Sequence, residues 1–360
     1  MSRVDVVVEC PIRDSFRVRQ AAGMFDLPIE TRCREEFSVE IPGPEDDWKI
    51  GVIVGPSGSG KSTVARAAFG DAVCECEDWD SDAAVIDGLG DLPIKQLTHL
   101  LTAVGFSSPP SWLKPYRVLS NGERFRCDLA RALCSDRPLT VFDEFSSVVD
   151  RTAARTGSAA VSKAIRSGRL NKRFAAVTCH YDVLPWLEPD WVLDMANGTL
   201  SRRRLRRPAI QLELFRCRRA TWKRFARHHY LSQSLSPYAE CFLATWNDEP
   251  VAFCAVLNAV GRVGLKRVSR VVVLPDYQGI GIGGKVCDAT AGYFRDQGRR
   301  VLLTASHPAV IQFLKASPRW RIRTVKKSGH AGRAGSRESG STSRGRAVVG
   351  AEFVGDPVPA

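Results

Sequence analysis

Short, unbroken apolar runs followed by helical periods organise the first 200 residues. Val52-Ile53-Val54, Leu139-Thr140-Val141-Phe142 and Phe174-Ala175-Ala176-Val177-Thr178 read as buried strands of a parallel α/β sheet, and Val64 to Phe69 as a helix following the first. Trp191 to Leu200 reads as a closing hairpin with Asn197-Gly198 at its turn. Beyond residue 208 the pattern changes. An alternating strand over 210–215, a basic helix over 219–229 and two strands over 240–246 and 250–257, joined by Asn247-Asp248-Glu249, come first. A β-branched strand over 268–274, an amphipathic helix over 285–297, a strand over 301–304, a helix over 309–315 and a last strand over 347–354 follow. The fold class is therefore an α/β domain followed by an α+β domain, with no internal repeat.

Charge sharpens that division. Residues 1–200 hold 23 Lys and Arg against 29 Asp and Glu, a net of −6, whereas residues 201–360 hold 29 against 10, a net of +19. A half that basic suits a polyanion, most often nucleic acid, although solubility and a basic tail would also account for it. Ser201 to Pro208 is a basic linker whose arginines either meet that polyanion or keep the chain extended by repulsion. The Gly, Ser and Arg composition of 326–346 predicts disorder. No apolar stretch is long enough for a membrane helix and no signal-peptide core follows Met1, so a soluble, cytoplasmic protein is expected. Eleven scattered cysteines without a Cys-x-x-Cys pair argue against disulfides and zinc, and most read as small buried apolar residues.

Two glycine-rich segments carry candidate chemistry. Gly55-Pro56-Ser57-Gly58-Ser59-Gly60-Lys61-Ser62-Thr63 lies between a strand and a helix. Its backbone amides converge on nucleotide phosphates, Lys61 neutralises β/γ charge and the Ser62 hydroxyl ligates Mg²⁺. Asp143, ending an apolar strand, suits the Mg²⁺ shell, and Glu144 suits polarising a water. Leu119-Ser120-Asn121-Gly122-Glu123 opens a helix whose start, with Ser120, makes an anion site. Ser146 to Asp150 follows the carboxylates, and His180 follows the next strand.

This set resembles the ABC-type ATPases over residues 1–200. The resemblance implies Walker A at 55–63, a signature at 119–123 in which Ser120 and Gly122 meet ATP, Walker B at 138–143, the catalytic Glu144, a D-loop at 146–150 and His180 as the switch histidine. It also implies ATP, Mg²⁺ and an ATP-dependent homodimer. Asn121 and Glu123 depart from the family's signature, Gln96 is the sole glutamine between Walker A and the signature, and slow turnover by a soluble switch is the expectation. Phe37 can stack on adenine or belong to a core.

The second segment, Gln278-Gly279-Ile280-Gly281-Ile282-Gly283, follows a β-branched strand and opens a helix, so its amides can wrap a pyrophosphate with the helix dipole assisting. A dinucleotide fingerprint would want an acidic residue about 20 positions on after a βαβ unit, and Asp296 lies inside the helix instead. The segment resembles the GNAT acyltransferases over 209–325, with 347–354 as a last strand. That resemblance implies acetyl-CoA or another acyl-CoA on Gln278 to Gly283, and backbone groups of Val273 and Leu274 polarising the thioester carbonyl. His229, Tyr230 and His307 are candidate acceptor-side acid–base residues, with Glu240 as an assistant. The His-His-Tyr, Cys-Phe-Leu-Ala and Leu-Pro-Asp-Tyr-Gln-Gly segments also resemble the phage-type Mom-like proteins that modify adenine in DNA. That likeness leaves open whether the coenzyme is acetyl-CoA or another, and whether the reaction depends on iron. The sequence reading is an ATP-gated N-acyltransferase acting on a nucleic-acid base amine, DNA before RNA. Its rivals are an acetyltransferase for a protein lysine or small amine, and a DNA-associated ATPase with a non-catalytic GNAT module.

Overall fold

The computed structural model describes residues 2–26, 28, 32–43, 45–74, 78–202, 205–230, 232–327 and 347–356. Most of the segment expected to be disordered, from 328 on, lies outside them. Two compact units emerge, and they are not consecutive. One comprises Met1–Cys76, Asp136–Ser147 and Asn171–Arg206; the other comprises Glu77–Ser135, Val148–Leu170 and Arg207–Ala360.

The first unit begins with β1 (Ser2–Pro11), α1 (Phe16–Met24), β2 (Arg32–Ile41), β3 (Ile50–Val54), α2 (Lys61–Phe69) and β4 (Val73–Cys74). The chain enters the second unit as α3 (Ile94–Ala103), α4 (Pro109–Trp112) and α5 (Asn121–Cys134). It returns for β5 (Leu139–Phe142), leaves again as α6 (Arg151–Arg166), and comes back for β6 (Arg173–Thr178), α7 (Leu184–Leu187), β7 (Trp191–Asp194) and β8 (Thr199–Ser201). The remainder belongs to the second unit: β9 (Glu213–Cys217), α8 (Trp222–Phe225), β10 (Glu240–Trp246), β11 (Glu249–Asn258), β12 (Leu265–Val273), α9 (Ile282–Asp296), β13 (Arg300–Ala305), α10 (Pro308–Ala316), β14 (Trp320–Lys327) and β15 (Ala347–Phe353). Among the described residues no helix is long and apolar enough to cross a membrane.

The first unit is α/β and the second is α+β, with a largely antiparallel sheet. In the first unit the sheet order is β4-β5-β6-β3-β7-β8, parallel except for β8, which closes the expected hairpin on β7. Its central strand β3 is buried at every position, as a strand covered on both faces must be. One core cluster joins Ile53, Val64, Val141, Val177 and Leu193 to Trp48 and Trp191, and β1 pairs β2 in a separate antiparallel ribbon.

The second unit carries a seven-stranded sheet, β14-β15-β13-β12-β11-β10-β9. Asn247 and Asp248, both with positive φ, make the tight β10–β11 turn. Only β12 and β13 run parallel, and their ladder ends at Val268↔Leu303, so β12 continues through 269–273 without that partner. The sequence reading missed β14, whose positions after Trp320 are exposed and show no buried period. The basic helix expected over 219–229 is broken into three short turns, and β9 lies about three residues later than read.

The helices α5 and α6 belong to this second unit by their packing. Phe125, Arg126, Leu129, Ala130 and Leu133 make a buried α5 face at helical spacing. Small residues on α6 (Ala153, Gly157 and Ala160) let neighbours approach closely, the Phe125 ring against Gly157 among them. Arg126, 1% exposed, donates to the carbonyls of Gly122 and Asp276 and to Thr156 Oγ1, while Thr156 Oγ1 donates to the Asp276 carbonyl at 2.5 Å. Burial lowers the guanidinium's pKa, and the Asp276 carboxylate, 3.9 Å away, only partly opposes that.

Candidate nucleotide and coenzyme sites

In the first unit a cavity of about 460 Å³ is lined by Ser57, Gly58, Gly60, Lys61, Ser62, Thr63, Asp143 and Glu144, with Phe37, Ser147 and Thr178 around them. Gly58 and Gly60 take left-handed backbone, which turns the loop into α2. A Cβ on Gly60 would lie 2.4 Å from the Phe37 ring, so Phe37 packs on the loop backbone at the cavity wall.

Three observations fit a Mg²⁺-nucleotide. Ser62 Oγ donates to Asp143 Oδ1 at 3.0 Å, which pairs the two expected metal ligands. Among the described residues Ser59 Oγ is buried without a hydrogen-bond partner. Lys61 Nζ donates to the Pro56 carbonyl at 2.5 Å, a neutral acceptor that a phosphate would displace.

The turn after β5 carries a signal invisible in the sequence. Glu144 and Ser146 are both non-glycine residues at positive φ, 50° and 68°. Such backbone costs about 1–3 kcal/mol each and collects at functional sites. It is held by the Phe145 amide on the Val177 carbonyl at 2.8 Å, by the Glu144 amide on Asp143 Oδ1 at 2.8 Å, and by Ser146 Oγ against His180 Nδ1 at 3.3 Å. His180 is thereby brought to the Glu144 turn.

Ser120 and Gly122 lie in the second unit. Ser120 Oγ accepts from the Glu123 amide while Glu123 Oε2 accepts from the Ser120 amide, a reciprocal capping box. The departure at Glu123 thus has a local structural reason: its other oxygen accepts from Ser111 Oγ at 2.8 Å.

The candidate coenzyme loop follows β12. Among the described residues, the backbone amides of Gly279 to Gly284 meet no protein acceptor, whereas those of Tyr277, Gln278 and Lys285 are bonded within the turn. Unmatched donors at a helix start suit a diphosphate. Other groups proposed for the coenzyme are already committed. Gln278 Nε2 donates to the Val273 carbonyl at 3.0 Å and its Oε1 accepts from the Ser107 amide at 2.8 Å. The Leu274 amide donates to the Val251 carbonyl at 2.9 Å. Gln278 is therefore a staple between segments, and the Leu274 amide and Val273 carbonyl are not open to a thioester.

On the acceptor side, His307 caps α10. Its Nδ1 accepts from the Ala309 amide, so its Nε2–H donates to the Ser107 carbonyl at 3.1 Å. With both nitrogens engaged and burial lowering its pKa, His307 is a capping residue in place of the base the sequence suggested. Tyr230 OH and Ser306 Oγ share a hydrogen bond at 3.1 Å. Glu240 is held by Lys266 at 2.5 Å and Arg216 at 2.8 Å. Arg267 and Arg270, which the sequence reading did not single out, line a cavity of about 420 Å³ with Ser234, Ser236 and Ser269. The Arg270 Nε is buried without a hydrogen-bond partner.

His229 Nδ1 bonds the Ser232 carbonyl at 3.1 Å. Burial first, and the Arg270 charge second, push the imidazole down to about 4. An unfolded histidine takes up its proton near pH 6.5. The folded site refuses it until about pH 4, so stability is lost as pH falls through that window. Thermal melts between pH 7 and 4.5 should show a falling Tm, with a smaller fall in His229→Gln.

Residues 207–316 match the acetyltransferase (GNAT) family. A stretch of 118 residues is 27% identical to the ribosome protection protein VmlR of Bacillus subtilis (strain 168), covering 27% of this chain and 21% of that protein. The chain thus spans about a fifth of that relative's length. Similar solved structures include a dimeric ATP-binding cassette in a post-hydrolysis state with ADP and Pi, at 15% identity over 50% of this chain and 94% of that one, with a TM-score of 0.38. An acetyltransferase of Bacillus subtilis in complex with CoA is similar at 12% identity over 40% of this chain and 98% of that one, with a TM-score of 0.31. The match to the acetyltransferase (GNAT) family is thus confined to residues 207–316.

Proposed function

We propose that the chain is an ATP-binding N-acyltransferase that moves an acyl group from a coenzyme A thioester to an amine of a nucleic acid. The observation that carries this reading is the run of unmatched amides at 279–284 inside the family-matched residues. These donors bind the diphosphate of the coenzyme, and the end of the β12–β13 ladder at Val268↔Leu303 leaves a gap for its pantetheine arm. The coenzyme supplies the activated acyl carbonyl. On the acceptor side, Arg267 and Arg270 offer charge to a phosphate backbone, and the +19 half extends that attraction. His229, neutral above about pH 4, and Tyr230 stand as proton-handling groups. At the other site Lys61, Ser62 and Asp143 hold Mg²⁺-ATP, and Glu144 with His180 turns it over. The ABC likeness supports a homodimer in which Ser120 and Gly122 complete a partner's nucleotide site, and a cytoplasmic setting supplies both cofactors.

A second reading is favoured by one match: likeness to a ribosome protection protein points to an acceptor amine on the ribosome, in RNA or protein. The full chain with labelled acetyl-CoA, Mg²⁺-ATP and DNA, RNA or basic peptides separates these readings. Label in nucleosides, with binding that weakens steeply as salt rises, is the expected result. Label confined to peptides overturns the nucleic-acid acceptor.

A further inference from the structure

We propose that Lys163, on α6 and outside the family-matched residues, belongs to the coenzyme site, where its ammonium neutralises the diphosphate held by the 279–284 amides. The proposal rests on the coenzyme reading above and adds a residue that the match over 207–316 does not contain.

Position comes first. Lys163 Nζ stands 3.0 Å from the point where a Cβ on Gly281 would lie. The ammonium therefore rests on the surface of the loop, in space that only glycine leaves open. The same α6 face brings Ala160 to 2.7 Å from the corresponding point on Gly279, which fixes the helix against the loop.

Charge comes second. Among the described residues Lys163 has no carboxylate partner, and the groups whose fields reach it are Arg169, Arg207 and Lys285, all cationic. Burial and then these neighbours push its pKa down to about 8. Among the described residues Arg169 Nη2 is buried without a hydrogen-bond partner, and the Lys285 charge acts on Asp288, one turn along α9. A lysine retained for packing ordinarily finds a carboxylate or a carbonyl. Lys163 and Arg169 are partly buried, and for Lys163, with no carboxylate beside it among the described residues, that is a costly arrangement that a bound dianion relieves. The open amides of Gly279 to Gly284 lie on the same loop, so side-chain charge and backbone donors address one ligand.

The test uses the full chain and calorimetry with two probes, acetyl-CoA and its acetyl-pantetheine fragment, which keeps the thioester and lacks the diphosphate. Lys163→Gln is expected to weaken acetyl-CoA roughly 10- to 100-fold, the range for losing a charge-assisted bond, and to leave the fragment unchanged. Lys163→Arg should retain most of the affinity. Wild type should take up protons on binding acetyl-CoA at pH 8.5, because the anion favours the charged ammonium, and the Gln variant should not. Should Lys163→Gln fail to fold, Lys163→Met and Lys163→Arg make the same comparison. Unchanged acetyl-CoA affinity in the neutral variants overturns the assignment while leaving the coenzyme reading intact. Equal loss for both probes overturns it in favour of a packing role. A wild-type chain that binds no acetyl-CoA overturns the coenzyme reading itself.

Discussion

Glu144→Gln will bind Mg²⁺-ATP as tightly as wild type and hydrolyse it roughly 10²- to 10⁴-fold more slowly, the usual loss when a general base is removed. The substitution keeps shape and removes charge. Because Glu144 sits at φ 50°, a residue of equal size inherits the same backbone strain, so the turn should survive. Asp143→Ala is the informative contrast. Asp143 Oδ1 accepts from both Ser62 Oγ and the Glu144 amide, so its loss disturbs the loop and the turn together. Nucleotide binding and steady-state phosphate release distinguish the two: Glu144→Gln should alter only turnover, and Asp143→Ala both. Normal turnover in Glu144→Gln would remove the carboxylate from the reaction.

The first site was readable in sequence because its chemistry is local. The glycines that turn the loop, the lysine and the hydroxyl expected to ligate Mg²⁺ lie within nine consecutive residues. Even there the strain at Glu144 and Ser146 went unseen, since nothing in Asp-Glu-Phe-Ser marks left-handed backbone. The second site was legible only as a loop. What Gln278 does is decided by Ser107, 171 positions earlier, and what His307 does by the same residue, 200 positions earlier. Periodicity cannot supply such partners.

The same limit hid the division of the chain. The small residues along α6 announce close packing, but not that the neighbour is the 276–281 segment. Reading 1–200 as one block followed from motif order, whereas α3, α5 and α6 cluster with the later residues through Arg126, Thr156 and Gly105. The packing of the α5 start against the 276–281 segment also explains why Gly122 stands there: a Cβ would lie 3.0 Å from Asp276 Oδ1.

That bracing sets the second large effect. Gly279→Val should abolish coenzyme binding and destabilise the second unit. Gly279 has φ 87°, and a Cβ there would lie 2.7 Å from both the Gly105 Cα and the Ala160 Cβ. A β-branched residue adds roughly 1–3 kcal/mol of backbone strain to about as much again from overpacking. Because backbone stands on one side, no side-chain rotation can relieve the clash, and the loop or α6 must move. Gly298→Ala separates strain from packing: Gly298 has φ 73° with nothing within 4 Å of the added carbon. It should cost about 1 kcal/mol and leave acetyl-CoA binding intact. Urea unfolding and acetyl-CoA calorimetry on both variants read the two effects apart. If Gly279→Val still bound acetyl-CoA at wild-type affinity, the amides of this loop would not be what holds the coenzyme, because they cannot keep their present positions with a side chain at 279.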